Sequence, residues 1–341
     1  MKIVTFGELL LRLAAPGYNR LFQRNTLEAT FCGGEANVAV SLANFGMESE
    51  YVTKLPDNDI GHAAARSLRY FGVDTNQILY GDGRMGIYYL EKGASQRPSK
   101  VIYDRKYSSI ALVGKNEFDW AQILSGADWF HWTGITPALG GELPSICEDA
   151  CKVAKERGLT ISCDLNYRKN LWSSEKAKQV MSRLMPYVDV CIANEEDADK
   201  VLGIHAENSN VESGQLDISG YESVARQICS QYGCKKAAIT LRESYSANRN
   251  GWSAMLYDAS IDQTFLSQKY DIQIVDRVGG GDSFAAGLIY GLINLRDVQK
   301  ALDFAVAASC LKQTMEGDFN RSSVEEVENL IRSGGNGRVQ R

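Results

Sequence analysis

Histidine is scarce, runs of basic residues are absent, and no apolar stretch approaches the length of a membrane span. The three histidines, His62, His131 and His205, have no metal-ligand spacing, and no paired Cys/His cluster accompanies them. That disfavours a zinc or redox centre. The formal charge is −5 and no Lys/Arg run could track a phosphate backbone, so no nucleic-acid partner is expected. A bilayer span needs roughly 20 apolar residues. No such run exists, residues 1–7 read as a short strand ending in glycine rather than a secretory signal, and no membrane partner is expected. The eight cysteines include no Cys-x-x-Cys pair, and Cys163, Cys191 and Cys310 sit in apolar runs as small core residues do. That usage points to a reducing cytoplasm. No Gly-x-Gly-x-x-Gly follows the first strand, which weighs against a dinucleotide-binding oxidoreductase.

What is present suits a large core: 341 residues with 44% apolar content allow one elaborate α/β domain, with or without a small appendage. Strand and helix patterns alternate, which predicts a parallel sheet with crossover helices. Strands are expected at 3–6, 51–55, 73–80, 128–132, 160–165, 188–193, 236–241 and 251–257. Helices are expected at 59–71, 142–157, 174–184, 195–202 and 221–232, and after Asp297, with apolar positions 298, 301, 302, 305, 306 and 309. The rhythm lapses at 84–113, where extended segments 85–92 and 100–107 flank the polar loop 93–99. A Tyr- and Arg-rich hairpin outside the rhythm reads either as a flap over a site or as an edge strand with solvated charges. Alternation puts Tyr103 and Arg105 on one face. Residues 205–220 read as a surface insertion without chemistry, and the Gly-rich tail from 333 as disordered.

The most informative stretch is 276–291. The apolar run 272–275 enters it, Gly279-Gly280-Gly281 turn the backbone, and a small-residue apolar helix leaves after Asp282. Successive glycines let backbone N–H groups face an anion, and the helix aims its positive end at the same point. Asp282 beside a phosphate would repel it, unless its task is to accept a proton from the hydroxyl being phosphorylated. The bland alternative is a helix cap. Near the other end, Gly33, Gly34 and Asn37 open a second helix that Gly46 stops, and in isolation they too could be a turn and a cap. Two predicted strand ends carry polar clusters, Asp164, Asn166 and Arg168 at one, Asn194 and Asp197 at the next. Strand carboxyl ends are where open α/β sheets place chemistry.

The stretch 276–282 closely resembles the C-terminal signature of the ribokinase-like, or PfkB-type, carbohydrate kinases, Asp-Thr-x-Gly-Ala-Gly-Asp, with Arg277 for Thr and Gly280 for Ala. Gly33, Gly34 and Asn37 resemble the family's N-terminal signature. The resemblance covers residues 2 to 332 and implies one catalytic domain over 1–332. Its fold would be a ribokinase-like α/β three-layer sandwich around a mostly parallel sheet. A small antiparallel β lid would be built from parts of 8–31 and 84–113. It further implies that Asp282 is the base, that Gly279, Gly280 and Gly281 cradle the moving phosphoryl group, and that ATP and Mg²⁺ are cofactors. Asp164, Asn166, Asn194, Thr240, Arg242 and Ser244 would border the nucleotide. Asn194 and Asp197, the latter standing where Glu is usual, would reach the metal through water.

Gly33-Gly34-Glu35-Ala36-Asn37, Tyr103-Asp104-Arg105 and Asp164 to Arg168 are most similar to the family's branch that acts on a sugar acid, 2-keto-3-deoxygluconate. A sugar acid needs a cation for its carboxylate, and an arginine fork matches it. Arg105 and Arg168 are the candidates, with Tyr89, Tyr103 and Asp318 as further substrate contacts. A fructokinase or other neutral-sugar kinase would share the Asp282 loop, and a sugar-sensing module without turnover is the reading from a different class. An exposed flap sheet offers a surface for a homodimer or a higher homo-oligomer.

Overall fold

The computed structural model describes residues 1–194, 196–205 and 218–334. Of the expected insertion at 205–220, residues 206–217 lie outside the described residues and 218–220 instead begin a helix; the tail from 335 also lies outside them. In chain order the first half runs β1 (Lys2–Phe6), β2 (Leu10–Ala14), β3 (Glu28–Cys32), α1 (Gly34–Asn44), β4 (Glu48–Val52), β5 (Lys54–Pro56), α2 (Asp59–Tyr70), β6 (Leu79–Gly81), β7 (Gly86–Glu91), β8 (Lys100–Asp104), α3 (Trp120–Ile123), β9 (Trp129–Thr133), α4 (Ile135–Ala138) and α5 (Leu143–Glu156). The second half runs β10 (Thr160–Asp164), α6 (Ser174–Leu184), β11 (Val190–Asn194), α7 (Ile218–Tyr232), β12 (Lys236–Ser246), β13 (Arg249–Asp258), β14 (Gln263–Leu266), β15 (Tyr270–Gln273), α8 (Gly280–Asn294), α9 (Val298–Gln313) and α10 (Val324–Ser333).

The large sheet has the order β14-β13-β12-β11-β10-β9-β1-β4, with β15 also paired to β13. From β4 to β12 every pairing is parallel, and the remaining pairings, all to β13, are antiparallel. Both faces are covered, so the strands are apolar on both sides and successive residues go to opposite cores. On β11, Cys191 and Ala193 join the core formed with α5, α6 and α7, whereas Val190 and Ile192 join the one formed with α1, α8 and α9. That is the expected three-layer arrangement. No described helix is long and apolar enough to cross a membrane.

A separate four-stranded sheet, β3-β2-β7-β8, forms from the segments expected to make a lid. Its outer pairings are antiparallel, while β2 and β7 run parallel. The expected strand at 73–80 is reduced to β6, paired only with β5. The cause is local: Asp74 accepts from the Asn76 amide and Ile78 N–H bonds the Thr75 carbonyl, so the polar triplet turns instead of extending. The expected helix at 195–202 is a short π-helical turn, Ala198–Leu202, ended by Gly203 in the left-handed region. The run entering the glycine loop is strand only as far as Gln273.

Helices α8 and α9 pack through small residues. A Cβ on Gly291 would stand 2.6 Å from the Cα of Ala301, and one on Gly287 would stand 2.8 Å from the Cα of Ala305. This close contact fixes the axis of α8, whose first turn belongs to the site. Gly291→Ala should force the helices apart at a cost of about 1–3 kcal/mol. Thermal unfolding checks this, and an unchanged melting temperature would show that the pair can relax.

Candidate active site

The loop between β15 and α8 is held from below by charge. Arg12, on β2, donates to Asp276 and to Asp318, Tyr88 donates to Asp318 at 2.7 Å, and Lys312 donates to the Asp276 carbonyl at 3.0 Å. Burial alone would weaken the proton affinity of Arg12, but Asp318, Tyr88 and Asp276 outweigh it and raise the pKa. Asp276 also accepts from the amides of Val278 and Gly317. Gly279 then turns with φ +83°, and a Cβ there would meet the Asp318 carbonyl oxygen at 2.1 Å, so only glycine fits. Gly279 caps α8 without a side-chain bond, and the N–H groups of Gly281 and Asp282, in the first turn, have no intrahelical acceptor. They face the cleft with the positive end of the helix behind them.

Asp282 meets the first turn of α1. Asn37 Nδ2 donates to Asp282 Oδ2 at 2.6 Å, and Asn37 Oδ1 accepts from the Gly33 amide at 3.3 Å. Burial pushes the Asp282 carboxyl up to about 7; Asn37 opposes the shift, Asp318 and Glu35 add to it, and Arg168 opposes it. Glu35 itself accepts from the Thr133 amide and from the hydroxyls of Thr133 and Thr136, which pins α1 to the end of β9.

Two pockets adjoin at Asp282. One is lined by Glu8, Gly33, Gly34, Asn37, Tyr88 and Arg105, together with Cys32, Glu35 and Asp318. The other is lined by Asp164, Asn194, Asp197, Thr240, Arg242, Arg277, Gly279 and Gly281. Val101, Tyr103, Asn166, Arg168, Val278 and Asp282 line both. The anion-binding helix turn expected from sequence and the Gly33-Gly34-Asn37 turn are therefore neighbours across a seam. The four-stranded sheet supplies Tyr88, Val101 and Tyr103, with Arg105 just past the end of β8, so it forms one wall of the cleft.

Individual expectations fare differently. Tyr89 lines neither pocket; Tyr88 does, because one step along β7 reverses the face. Ser244 is exposed and beyond the rim, two residues past Arg242 on β12. Asp318 lines the first pocket, with its carboxylate engaged by Arg12 and Tyr88. Arg105 is buried, bonded to Glu8 Oε2 through Nε at 2.7 Å and through Nη2, with its guanidinium 5.2 Å from the Tyr103 ring centre. Arg168 is exposed and bonds the Tyr167 carbonyl. Asp197 accepts from the amides of Tyr167 and Asn194, bracing the two strand ends together. Asp164 accepts from the Asn166 amide, and its pKa is raised by burial, then by Asp197 and Asp282. Sequence reasoning passed over Glu8, Arg12, Tyr88 and Arg277. Only Arg277 left a signal, since it departs from the usual residue of the loop.

The Arg12 bridge gives a direct test. Arg12→Met leaves Asp276 and Asp318 buried without it and should cost about 3–5 kcal/mol. Chemical denaturation measures this, and a loss below about 1 kcal/mol would show that the two buried carboxylates do not depend on Arg12.

Comparison with known proteins places this architecture. The sequence profile of the pfkB family carbohydrate kinases matches residues 1–323. The chain is 53% identical to the 2-dehydro-3-deoxygluconokinase of Thermotoga maritima, whose crystal structure superposes with a TM-score of 0.93, covering 97% of this chain and 98% of that one. A PfkB family carbohydrate kinase from Listeria grayi is 32% identical, with a TM-score of 0.89 over 97% of this chain and 100% of that one. The 2-dehydro-3-deoxygalactonokinase of Haloferax volcanii is 32% identical over 333 residues, 98% of this chain and 97% of its own length. With the ribokinase-like sheet order, the separate small sheet and the Asp282 seam already in place, the chain belongs to the PfkB family of carbohydrate kinases.

Proposed function

We propose that this kinase transfers the γ-phosphoryl group of ATP to the terminal, 6-hydroxyl of 2-keto-3-deoxygluconate, giving the 6-phosphate and ADP. The observation that carries the reading is the position of Asp282, at the seam of two pockets whose linings suit different partners. The first offers hydroxyl partners and arginine, as a sugar acid requires. The second offers arginines, polar strand ends and a helix N-terminus, as a polyphosphate requires.

In this reading Arg105 and Arg168 receive the substrate carboxylate, Tyr103 packs on the carbon chain, and Gly33, Gly34 and Asn37 meet its hydroxyls. Because Glu8 already neutralises much of Arg105, Arg168 supplies more of the free charge. Asn166, Asn194, Thr240 and Arg242 border the nucleotide. Mg²⁺ accompanying ATP neutralises phosphate charge. The described residues hold no cluster of three or more His, Cys, Asp or Glu side chains suited to a metal. The ion would therefore keep phosphate oxygens and water as its main ligands, with Asn194 and Asp197 acting through water.

Asp282 orients the hydroxyl and accepts its proton. With the carboxyl near 7 and an alcohol near ~16, about 9 pKa units or roughly 12 kcal/mol still oppose full proton transfer before attack. Transfer is therefore late, once the oxygen is bonding to phosphorus. The amides of Gly281 and Asp282 stabilise the charge on the moving group, and the lid excludes water as a competing acceptor. All eight cysteines are unpaired, in keeping with action in the cytoplasm. β8 is the free edge of the small sheet and carries the exposed Ile102 on the face away from Val101 and Tyr103, which offers a surface for a second copy of the chain.

A coupled ADP-release assay across acceptors tests the proposal. The keto-deoxy sugar acids should exceed fructose in kcat/KM by about 100-fold or more, through the charge that a neutral sugar lacks. A preference for fructose would select the neutral-sugar reading, and no ADP release with any acceptor would sink both. Asp282→Asn should fold and bind ATP while turnover falls by roughly 10³-fold or more. Near wild-type turnover in that variant would refute the role of Asp282.

A further inference from the structure

Arg277 stands where the family's usual loop signature has Thr, and its surroundings are unusual for a half-buried guanidinium. Among the described residues no carboxylate lies within ion-pair distance of it. Its one hydrogen bond runs from Nη2 to the carbonyl of Ala247, at 2.7 Å, and its Nε is buried without a partner. It lines the same pocket as Arg242 of β12 and as Gly279 and Gly281. Burial and then the like charge of Arg242 lower its pKa, with Asp276 opposing. A half-buried guanidinium with a partnerless Nε and a single carbonyl bond is costly unless an anion reaches it.

We propose that Arg277 is a ligand of the nucleotide's phosphate chain, closing with Arg242 on the β- and γ-phosphates from the side opposite the first turn of α8. The inference rests on the kinase reading above and adds to it a residue that the loop's usual Thr could not replace. A planar fork can bond two phosphate oxygens at once, and a hydroxyl cannot. The anchor also has a consequence. The turn that carries Ala247 is bonded to the lid loop, Ala247 N to the Ser95 carbonyl at 2.8 Å and Ser95 N to Asn248 Oδ1 at 3.2 Å. Arg277 is thus held by a turn that the lid itself braces.

Calorimetric titration of the whole enzyme with ADP and with AMP, both with Mg²⁺, tests the assignment without turnover. AMP lacks the distal phosphate and serves as the internal control. For Arg277→Met, ADP affinity should fall about 10- to 100-fold while AMP affinity changes less than about 3-fold. Arg277→Lys, which keeps the charge and loses the fork, should fall between the wild type and Met. Equal losses for ADP and AMP, or no loss for ADP, would overturn the proposal. If wild-type protein bound neither nucleotide, the kinase reading itself would fall with it, so the two failures are distinguishable. A Met variant whose melting curve has collapsed would leave the Lys variant to decide, and ADP binding by Lys equal to wild type, with AMP unchanged, would count against the fork.

Discussion

Arg12 lies between Asp276 and Asp318, and the geometry of the cleft follows from that buried bridge. The three residues come from a strand of the small sheet, from the start of the glycine loop and from the loop after α9. Their union is what lets the small sheet stand against the large one without slack. With Lys312 bonded to the Asp276 carbonyl, two cations face two carboxylates, so the charges are balanced although almost no water reaches them. Such a cluster contributes little net stability compared with apolar packing, but it tolerates few other arrangements. It also sets the Asp318 carbonyl against Gly279, and this forces the left-handed turn that aims α8 at the pocket.

The two pockets divide their charge differently. In the first pocket the cation Arg105 is matched by Glu8, and Glu35 is satisfied by threonine hydroxyls, although burial still raises its pKa. In the second pocket Arg277 bonds only the Ala247 carbonyl among the described residues, and the carboxylates are restrained: Asp197 is taken up by backbone amides, and burial favours the neutral form of Asp164. Asp282 stands between these environments. Its anion is destabilised by burial and held in place by Asn37, a combination that favours a proton acceptor over a simple cap. Sites of this kind give up stability for function.

Much of this was legible in the chain. The glycine run and following acid announce a tight turn into a helix, with Gly279 the position where the backbone path and the Asp318 carbonyl admit no other residue, and the strand and helix rhythm announces the parallel sheet. Other features were hidden for identifiable reasons. Arg12 meets Asp276 across 264 positions, which no local pattern encodes. Tyr88 and Tyr89 differ only in strand parity, so a shift of one residue exchanges the cleft face for the outer one. Ser244 shares the parity of Arg242 but stands beyond the pocket, and distance along a strand relative to a rim cannot be read from composition. The segment at 73–80 carried apolar residues enough for a strand, yet the Asp74-Thr75-Asn76 turn prevailed over them.

The account depends on Asp282 being a carboxylate whose proton affinity has been raised into the neutral range so that it can take a proton from the acceptor hydroxyl. The pH dependence of kcat/KM for the acceptor, at saturating nucleotide, tests that most directly. Because the group acts as a base, the rate should climb about tenfold per unit as pH rises toward about 7 and level off above it. A profile that stays flat down to pH ~5, with its break near the ordinary carboxylate value of about 4, would contradict it.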